Sequence, residues 1–506
     1  MTAPHHVDRR AAAPRPSGPS LAEAVLPVAV MLALFVAGSL WLGMTGELLI
    51  AVLLASAATA GGVAARHGAT WDDIQRSTGR KLADVLPAIL ILLAIGVLIA
   101  AWVLSGTIPY LVYWGIRLIS PRFLVVTAFL ATALMSLATG TSWGSAGTIG
   151  VALMGTAVAL DAPLAMTAGA VVSGAYFGDK MSPLSDSTNI AAIGAGADLY
   201  RHIRNMVYTA GPSFLLALLT YGAVAWSTQA TAAGAPASAR ALLGDLSRAY
   251  ALNPVVLLPV AVVVWGIARR TPAALAMVAS SLVACALGIA LQGFGVGDAI
   301  GAMVGGFRVG MFASGGTDPA SLGGSLVTLV ERGGLYGMAP TLIVILAAFL
   351  LAGAMDASGS LDLLIGRMLA AVRGVGGLIA ATMVSGATMI ALTSHGGVTS
   401  LVIGDLYQRA YRERGLAPEN LSRSLEDSVT ITEPLMPWTV SAVYMATTLG
   451  VSTLAYAPWA VFCYCGPLFS LLIAAGYPRT AFALPPANGG TRERIMTAPP
   501  ARAAPS

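Results

Sequence analysis

Charge is what this sequence lacks most. Asp, Glu, Lys and Arg make up 10% of its 506 residues, against about 25% in soluble globular proteins. Cysteine is almost absent too: Cys285, Cys463 and Cys465 are the whole complement, each inside an apolar run. Thiols so placed form neither a disulfide framework nor a spaced metal site. The sequence also has no Gly-x-x-x-x-Gly-Lys-Ser/Thr loop, which excludes an ATP-driven machine of that type. What is present is 57% hydrophobic residue content, arranged in runs suited to crossing a bilayer. This is an all-α polytopic membrane protein, with the lipid bilayer as its surroundings. The formal net charge of +5 then implies no nucleic-acid partner, because basic residues between spans set orientation.

One stretch breaks the apolar pattern. Residues 173–189 read Ser-Gly-Ala-Tyr-Phe-Gly-Asp-Lys-Met-Ser-Pro-Leu-Ser-Asp-Ser-Thr-Asn. Apolar runs at 164–177 and 190–196 flank the polar centre, and neither alone reaches the ~20 residues of a span. Together they form one transmembrane helix broken in its middle. Such a break is tolerated at membrane depth only against protein or a watery cavity, and ionisable residues there mark a functional site.

In chain order, residues 1–20 are expected to be a disordered cytoplasmic N-terminus, with Arg9 and Arg10 ahead of a signal-anchor. A first transmembrane repeat covers 21–226, a polar linker 227–252, a second repeat 253–476 and a disordered cytoplasmic tail 477–506. A Gly-rich loop is expected over 292–334. The total is about 12–14 spans. The two sets match: Ser105-Gly106-Thr107 with Ser358-Gly359-Ser360, Thr141-Ser142-Trp143-Gly144 with Thr393-Ser394-His395-Gly396, Ser182-Pro183-Leu184 with Glu433-Pro434-Leu435, and Gly211-Pro212 with Gly466-Pro467. Each match is weak alone, but the four occur in the same order at nearly constant spacing.

Seven spans per copy make the copies face opposite ways. With the N-terminus inside, inner segments hold 21 of the 28 Lys and Arg residues, Arg409, Arg412, Arg414 and Arg423 among them, and outer segments hold six. That bias agrees with the positive-inside rule and puts both termini in the cytoplasm. Arg117 and Arg122 fall on the outer side and mark a re-entrant region. Inverted repeats with broken helices or re-entrant segments near the midplane are the architecture of secondary transporters.

The second copy carries its own polar break, Leu-Glu-Asp-Ser-Val-Thr-Ile-Thr-Glu-Pro at 425–434. The ion-binding and coupling candidates are Asp179, Asp186, Ser185, Ser187, Thr188 and Asn189 from the first break, and Glu426, Asp427 and Ser428 from the second. Lys180, Thr141, Ser142, Thr393, Ser394, His395, Thr432 and Glu433 are candidates for lining the cavity. Oxygen-rich sites suit hard cations. A carboxylate holds a proton or a cation but poorly both, so one site can exchange them.

At this point the residues resemble a family. Gly-Asp-Lys-Met-Ser-Pro-Leu-Ser-Asp-Ser-Thr-Asn at 178–189 is similar to the signature of the NhaC Na+/H+ antiporters, within the larger ion-transporter superfamily. Leu-Glu-Asp-Ser at 425–428 and Pro-Leu-Met-Pro-Trp at 434–438 resemble that family's second signature. The likeness covers roughly residues 20–476. It implies a cytoplasmic-membrane antiporter exchanging Na+, or Li+, for H+, with Na+ at the ion-binding residues, small cations as partners and no cofactor beyond the transported Na+ and H+. A small hydroxyl residue often stands in the family where Glu433 stands here. The family also includes exchangers of organic acids or amino acids, of the malate/lactate type. A homo-oligomer is compatible with the sequence.

Individual residues have competing readings. Asp179 and Lys180 form either ion ligands or a mutual salt bridge. Asp186 is a ligand, or the cap of the half-helix beginning near Ser187. Glu426 and Asp427, as neighbours on a helix, diverge by about 100°, so one faces the site, and Asp427 is favoured. Glu433 lines a vestibule. The hydroxyls of Thr141, Ser142, Thr393 and Ser394 either bond between helices or line the cavity. His395 is a structural hydrogen-bonder or a proton sensor. A reading from another class takes Gly140-Thr141-Ser142-Trp143-Gly144 as a nucleophile elbow with Ser142 as an intramembrane serine hydrolase's nucleophile. The repeat of this segment argues instead for architecture. A channel is disfavoured by the duplicated break, which suits alternating access.

Overall fold

The computed structural model describes residues 18–42, 45–227, 237–370, 374–476, 480 and 484–486. Most of the expected disordered N-terminus, nearly all of the expected C-terminal tail and part of the expected linker lie outside these residues. Among the described residues the chain is helical, with one isolated bridge between Leu416 and Pro486 and no strand. Among the described residues eight helices are long and apolar enough to cross a membrane, or up to ten if each of two sharply bent pairs counts as one span. The expected 12–14 is larger because polar breaks divide several hydrophobic stretches into helices too short to count singly. Leu164–Met181 and Asp186–Ala195 are one such divided pair.

The described residues form two compact units, one from within 1–83 and 347–367, the other from within 84–346 and 368–506. In the first, helices Leu21–Leu42 and Gly46–Arg66 pack as a hairpin, the second capped by Thr45, whose side chain accepts from the Leu48 amide. Leu40, Trp41 and Leu42 stay exposed, as suits a lipid-facing helix. Lys81 and Asp356 lie 3.6 Å apart, and Ser77 donates to Asp356 at 2.5 Å.

The second unit holds both breaks. Helix Leu124–Thr139 packs closely on Leu164–Met181 through glycines: a Cβ at Gly174 would lie 2.2 Å from the Phe129 carbonyl oxygen, and one at Gly178 would lie 2.4 Å from that of Ala133. Small residues at four-residue spacing allow this approach. Helix Asp186–Ala195 meets Gly396–Glu413 in the same way, a Cβ at Gly404 falling 2.4 Å from the Gly194 carbonyl oxygen. The stretch expected as a linker includes helix Ala237–Ala249, which bends by 99° into the helical stretch Pro254–Ala268. Its polar content misleads because Ala239, Leu242 and Leu246 form a buried apolar face. The expected Gly-rich loop likewise contains helices Val296–Gly305 and Gly324–Val330.

Local geometry repeats along the chain. Gly106 and Gly359 are both left-handed, at φ 82° and 74°. Each is bracketed by two hydroxyls in contact, Ser105 with Thr107 at 2.7 Å and Ser358 with Ser360 at 2.6 Å. Gly140 at φ 70° ends one helix and Ser394 at φ 61° ends another. Thr141 and His395 then share nearly the same backbone, φ −146° and −142° with ψ 119° in both, as the residues before the next helices. This aligns Gly140 with Ser394 and Thr141 with His395, a separation of 254 residues. The Thr141-to-Thr393 alignment expected from sequence is therefore two residues out of register. Shared letters suggested it, but the left-handed residue has to coincide, and glycine takes that conformation freely where serine is strained.

Candidate functional site

The first break is built by capping. At the end of helix Leu164–Met181 the Asp179 carbonyl accepts from the Ser182 amide at 3.1 Å, and Thr188 Oγ1 donates to the carbonyls of Asp179 and Lys180 at 3.2 and 3.1 Å. Ser185 caps the following helix, Asp186–Ala195, accepting from the Thr188 amide at 3.4 Å, and its hydroxyl meets Ser187 at 3.0 Å. Asn189 donates to the carbonyls of Pro183 and Ser185, at 3.2 and 2.7 Å. Ser185, Ser187, Thr188 and Asn189 thus hold the break's shape. The cap is Ser185, a correction to the reading of Asp186 as cap. Asp186 is exposed in the first turn, where the helix dipole favours an acid.

The second break begins where helix Pro418–Leu425 passes into a π-turn at Glu426–Thr430, a local widening frequent at functional sites. Ser428 and Thr432 donate to backbone carbonyls, of Ser424 at 2.7 Å and of Ser428 at 2.6 Å. Their hydroxyl protons are therefore committed to the helix.

The two breaks meet at Asp427. Its Oδ1 accepts from the Lys180 ammonium and from Thr209 at 3.2 Å, and its Oδ2 accepts from Ser470 at 2.6 Å. Lys180 and Asp427 are both fully buried. The Asp179–Lys180 salt bridge considered from sequence is thus replaced by a pair across the repeats: adjacent helical residues point apart by about 100°, so Lys180 turns to Asp427 while Asp179 turns to Ser142. Ser142 Oγ donates to Asp179 at 2.8 Å. Glu426, also fully buried, has no hydrogen bond of regular geometry to either carboxylate oxygen among the described residues, and the Thr430 side chain approaches it. Glu433 faces Ser441 and the amide of Gly396. Thr141 caps the Ser142 turn, accepting from Gly144 N at 3.1 Å. Thr393 meets Thr399 at 2.5 Å. The Ser394 carbonyl accepts from Val440 N at 3.1 Å. His395 precedes its helix, with Nδ1 unpartnered among the described residues.

Sequence reasoning missed Thr209, Ser470, His202 and Arg423. Thr209 and Ser470 flank the Gly-Pro steps of the two matched helices, the one signal that pointed at them. Arg423 counts among the inner-segment charges in the sequence, yet it is fully buried, its guanidinium reaching Asn205 Oδ1 at 3.3 Å. The polar run around it is a helix buried along most of its length, which a charge count cannot distinguish from a loop. His202, also fully buried, contacts the Ser422 hydroxyl at 2.7 Å and lies in the field of Lys180 and Arg423.

Buried carboxylates, a buried ammonium and two facing breaks inside a helical membrane protein define a secondary transporter. The chain belongs to the Na+/H+ antiporter family, whose model matches residues 174–476. It is 42% identical to an uncharacterized Na+/H+ antiporter of Haemophilus influenzae, over 90% of this chain and 96% of that one. It is 35% identical to the Na+/H+ antiporter NhaC of Alkalihalophilus pseudofirmus, over 79% and 84%. It is 30% identical to a malate-2H+/Na+-lactate antiporter of Bacillus subtilis, over 87% and 91%. The protein is a multi-pass membrane antiporter for cations, a Na+/H+ antiporter or a related exchanger.

Proposed function

We propose that the chain exchanges Na+, or Li+, for H+ by alternating access at Asp427, with the Lys180 ammonium and the transported cation competing for one carboxylate. The buried Lys180–Asp427 pair carries this reading, because it joins the two breaks at a single group. Asp427, Thr209 and Ser470 supply oxygen atoms, the ligand type hard cations take. Two positive charges at one buried carboxylate repel strongly in a medium less polar than water. Arrival of Na+ therefore expels a proton from the pair, and departure of Na+ takes one back. Energy comes from the ion gradients, with no further cofactor. The repeats face opposite ways with both termini cytoplasmic, on the strength of the seven spans per copy expected from the sequence and the charge bias.

No catalytic step is part of this reading. Ser142 donates to Asp179, and no described hydrogen bond joins it to His395. A second reading, an organic acid moving with the cation as the name of the Bacillus subtilis relative describes, is favoured by His202, in the field of Lys180 and Arg423, and by Arg423, in the field of Asp427. Everted vesicles challenged with a panel of cations and small organic acids separate the two. Asp427→Asn should reach the membrane normally yet show no Na+-dependent proton movement. Exchange at the wild-type rate by this variant would overturn the assignment of the centre.

A further inference from the structure

Helix Pro418–Leu425 runs directly into the turn that holds Asp427, and it starts without a cap of its own. Ala417 stands at its N-cap position in extended backbone, and alanine has no side-chain oxygen to accept from the first amides. In a capping box the residue three places on reaches back to accept from the N-cap amide. Asn420 occupies that place, but its side-chain nitrogen donates instead, to the Ala417 carbonyl at 3.1 Å and to the Pro485 carbonyl at 2.9 Å. The acceptor for the Ala417 amide comes from much later in the chain: it is the same Pro485 carbonyl, at 3.1 Å. Leu416 and Pro486 pair antiparallel beside it. Leu416, Ala417 and Asn420 are fully buried and Leu484 is 1% exposed. Residues 484–486 therefore sit as a short strap against the start of this helix.

The strap links elements that meet at Asp427. It follows helix Val461–Ala475, whose Ser470 donates to Asp427 at 2.6 Å. The helix it holds leads to Asp427 itself and is joined to Leu199–Ser227 by a ladder of contacts: Arg201 with Glu419 at 2.8 Å, Asn205 with the Glu419 carbonyl at 2.8 Å, and His202 with Ser422 at 2.7 Å. Thr209, further along Leu199–Ser227, donates to Asp427 at 3.2 Å. The strap thus ties this pair of helices to the one that bears Ser470.

We propose that residues 484–486 are a brake on exchange: the strap holds the helix carrying Asp427 in the arrangement seen here and has to leave its start before the centre can open to the other side of the membrane. The inference rests on alternating access at Asp427. The contacts suit release, being two hydrogen bonds to one carbonyl, one bridge and one buried leucine. A hydrogen bond of this kind moves an equilibrium by about tenfold at most.

The test is a reversible lock. The bond from the Ala417 amide to the Pro485 carbonyl flanks the Leu416–Pro486 pair, the pattern in which facing Cα atoms lie about 4.5 Å apart, a span a disulfide bridges. Full-length protein with Leu416→Cys and Pro486→Cys, in vesicles, should lose most of its Na+-dependent proton movement on oxidation and regain it with a reductant. Cys285, Cys463 and Cys465 are buried, and each single-cysteine variant, treated alike, should not respond. Asn420→Asp opens the strap: its carboxylate repels the Pro485 carbonyl while accepting from the Ala417 amide itself, at a helix start that favours an acid. It should raise the maximal exchange rate by up to about tenfold at an unchanged half-saturating Na+ concentration. Wild-type exchange in the oxidised double-cysteine protein, with the disulfide verified by mass, would overturn the brake and leave the Asp427 reading standing. A loss that reduction does not reverse, or an Asn420→Asp rate no higher than wild type, would make the strap a structural cap only and overturn it as a brake. Exchange persisting in Asp427→Asn in the same vesicles would instead overturn the reading on which the brake rests.

Discussion

Lys180 and Asp427 show how a buried pair constrains a transporter at the level of single residues. Taking both from water is costly, and their attraction offsets that only while both are present. Lys180→Met alone should therefore destabilise the protein by about 3–5 kcal/mol, leaving a buried carboxylate with two hydroxyl donors. Adding Asp427→Leu should recover most of that loss, because the uncompensated charge is gone, without restoring exchange. Thermal unfolding in detergent with and without the second substitution measures the coupling. Equal, additive losses would mean the two side chains do not interact. Adjacent residues explain why the partner was hard to name: Asp179 and Lys180 share a motif but leave the helix about 100° apart, one toward Ser142 and one toward the other repeat.

At the scale of elements, the breaks depend on capping and on glycine. Hydropathy located both breaks, because a polar run inside an apolar one is visible to any window. It did not show that Ser185, Thr188 and Asn189 are occupied with the break's own backbone. Hydroxyl and amide side chains look alike in sequence whether they bind an ion or close a turn. The packing of Leu124–Thr139 on Leu164–Met181 is a second requirement. Gly178→Ala should cost about 1–3 kcal/mol by forcing these helices apart, since its Cβ would lie 2.4 Å from the Ala133 carbonyl oxygen. Gly62→Ala is the control: nothing lies within 4 Å of the Cβ it would add, so it should be neutral or stabilising by up to about 1 kcal/mol. Melting temperatures of the two variants test this, and equal shifts would show that the glycine contact carries no strain.

For the whole molecule, the proposed inverted arrangement predicts opposite sidedness for Ala237 and Glu413, both exposed in the structure. Cysteine at Ala237 should react with an impermeant thiol reagent from outside, and cysteine at Glu413 only from the cytoplasmic side. Reaction of both from one side would break the model of two opposed repeats. Ala417, near Glu413 on the same loop, is unsuitable because it is fully buried. By itself the sequence determined the class, the two breaks and the family resemblance. These follow from local composition: apolar runs choose the bilayer, Pro and polar clusters interrupt helices, and a motif is a property of neighbours. Only the tertiary structure decided that Lys180 meets a residue 247 positions away and that Arg423 is inside. Those outcomes depend on how far each helix is rotated and on which residue takes the left-handed turn before it, and packing between distant segments sets both.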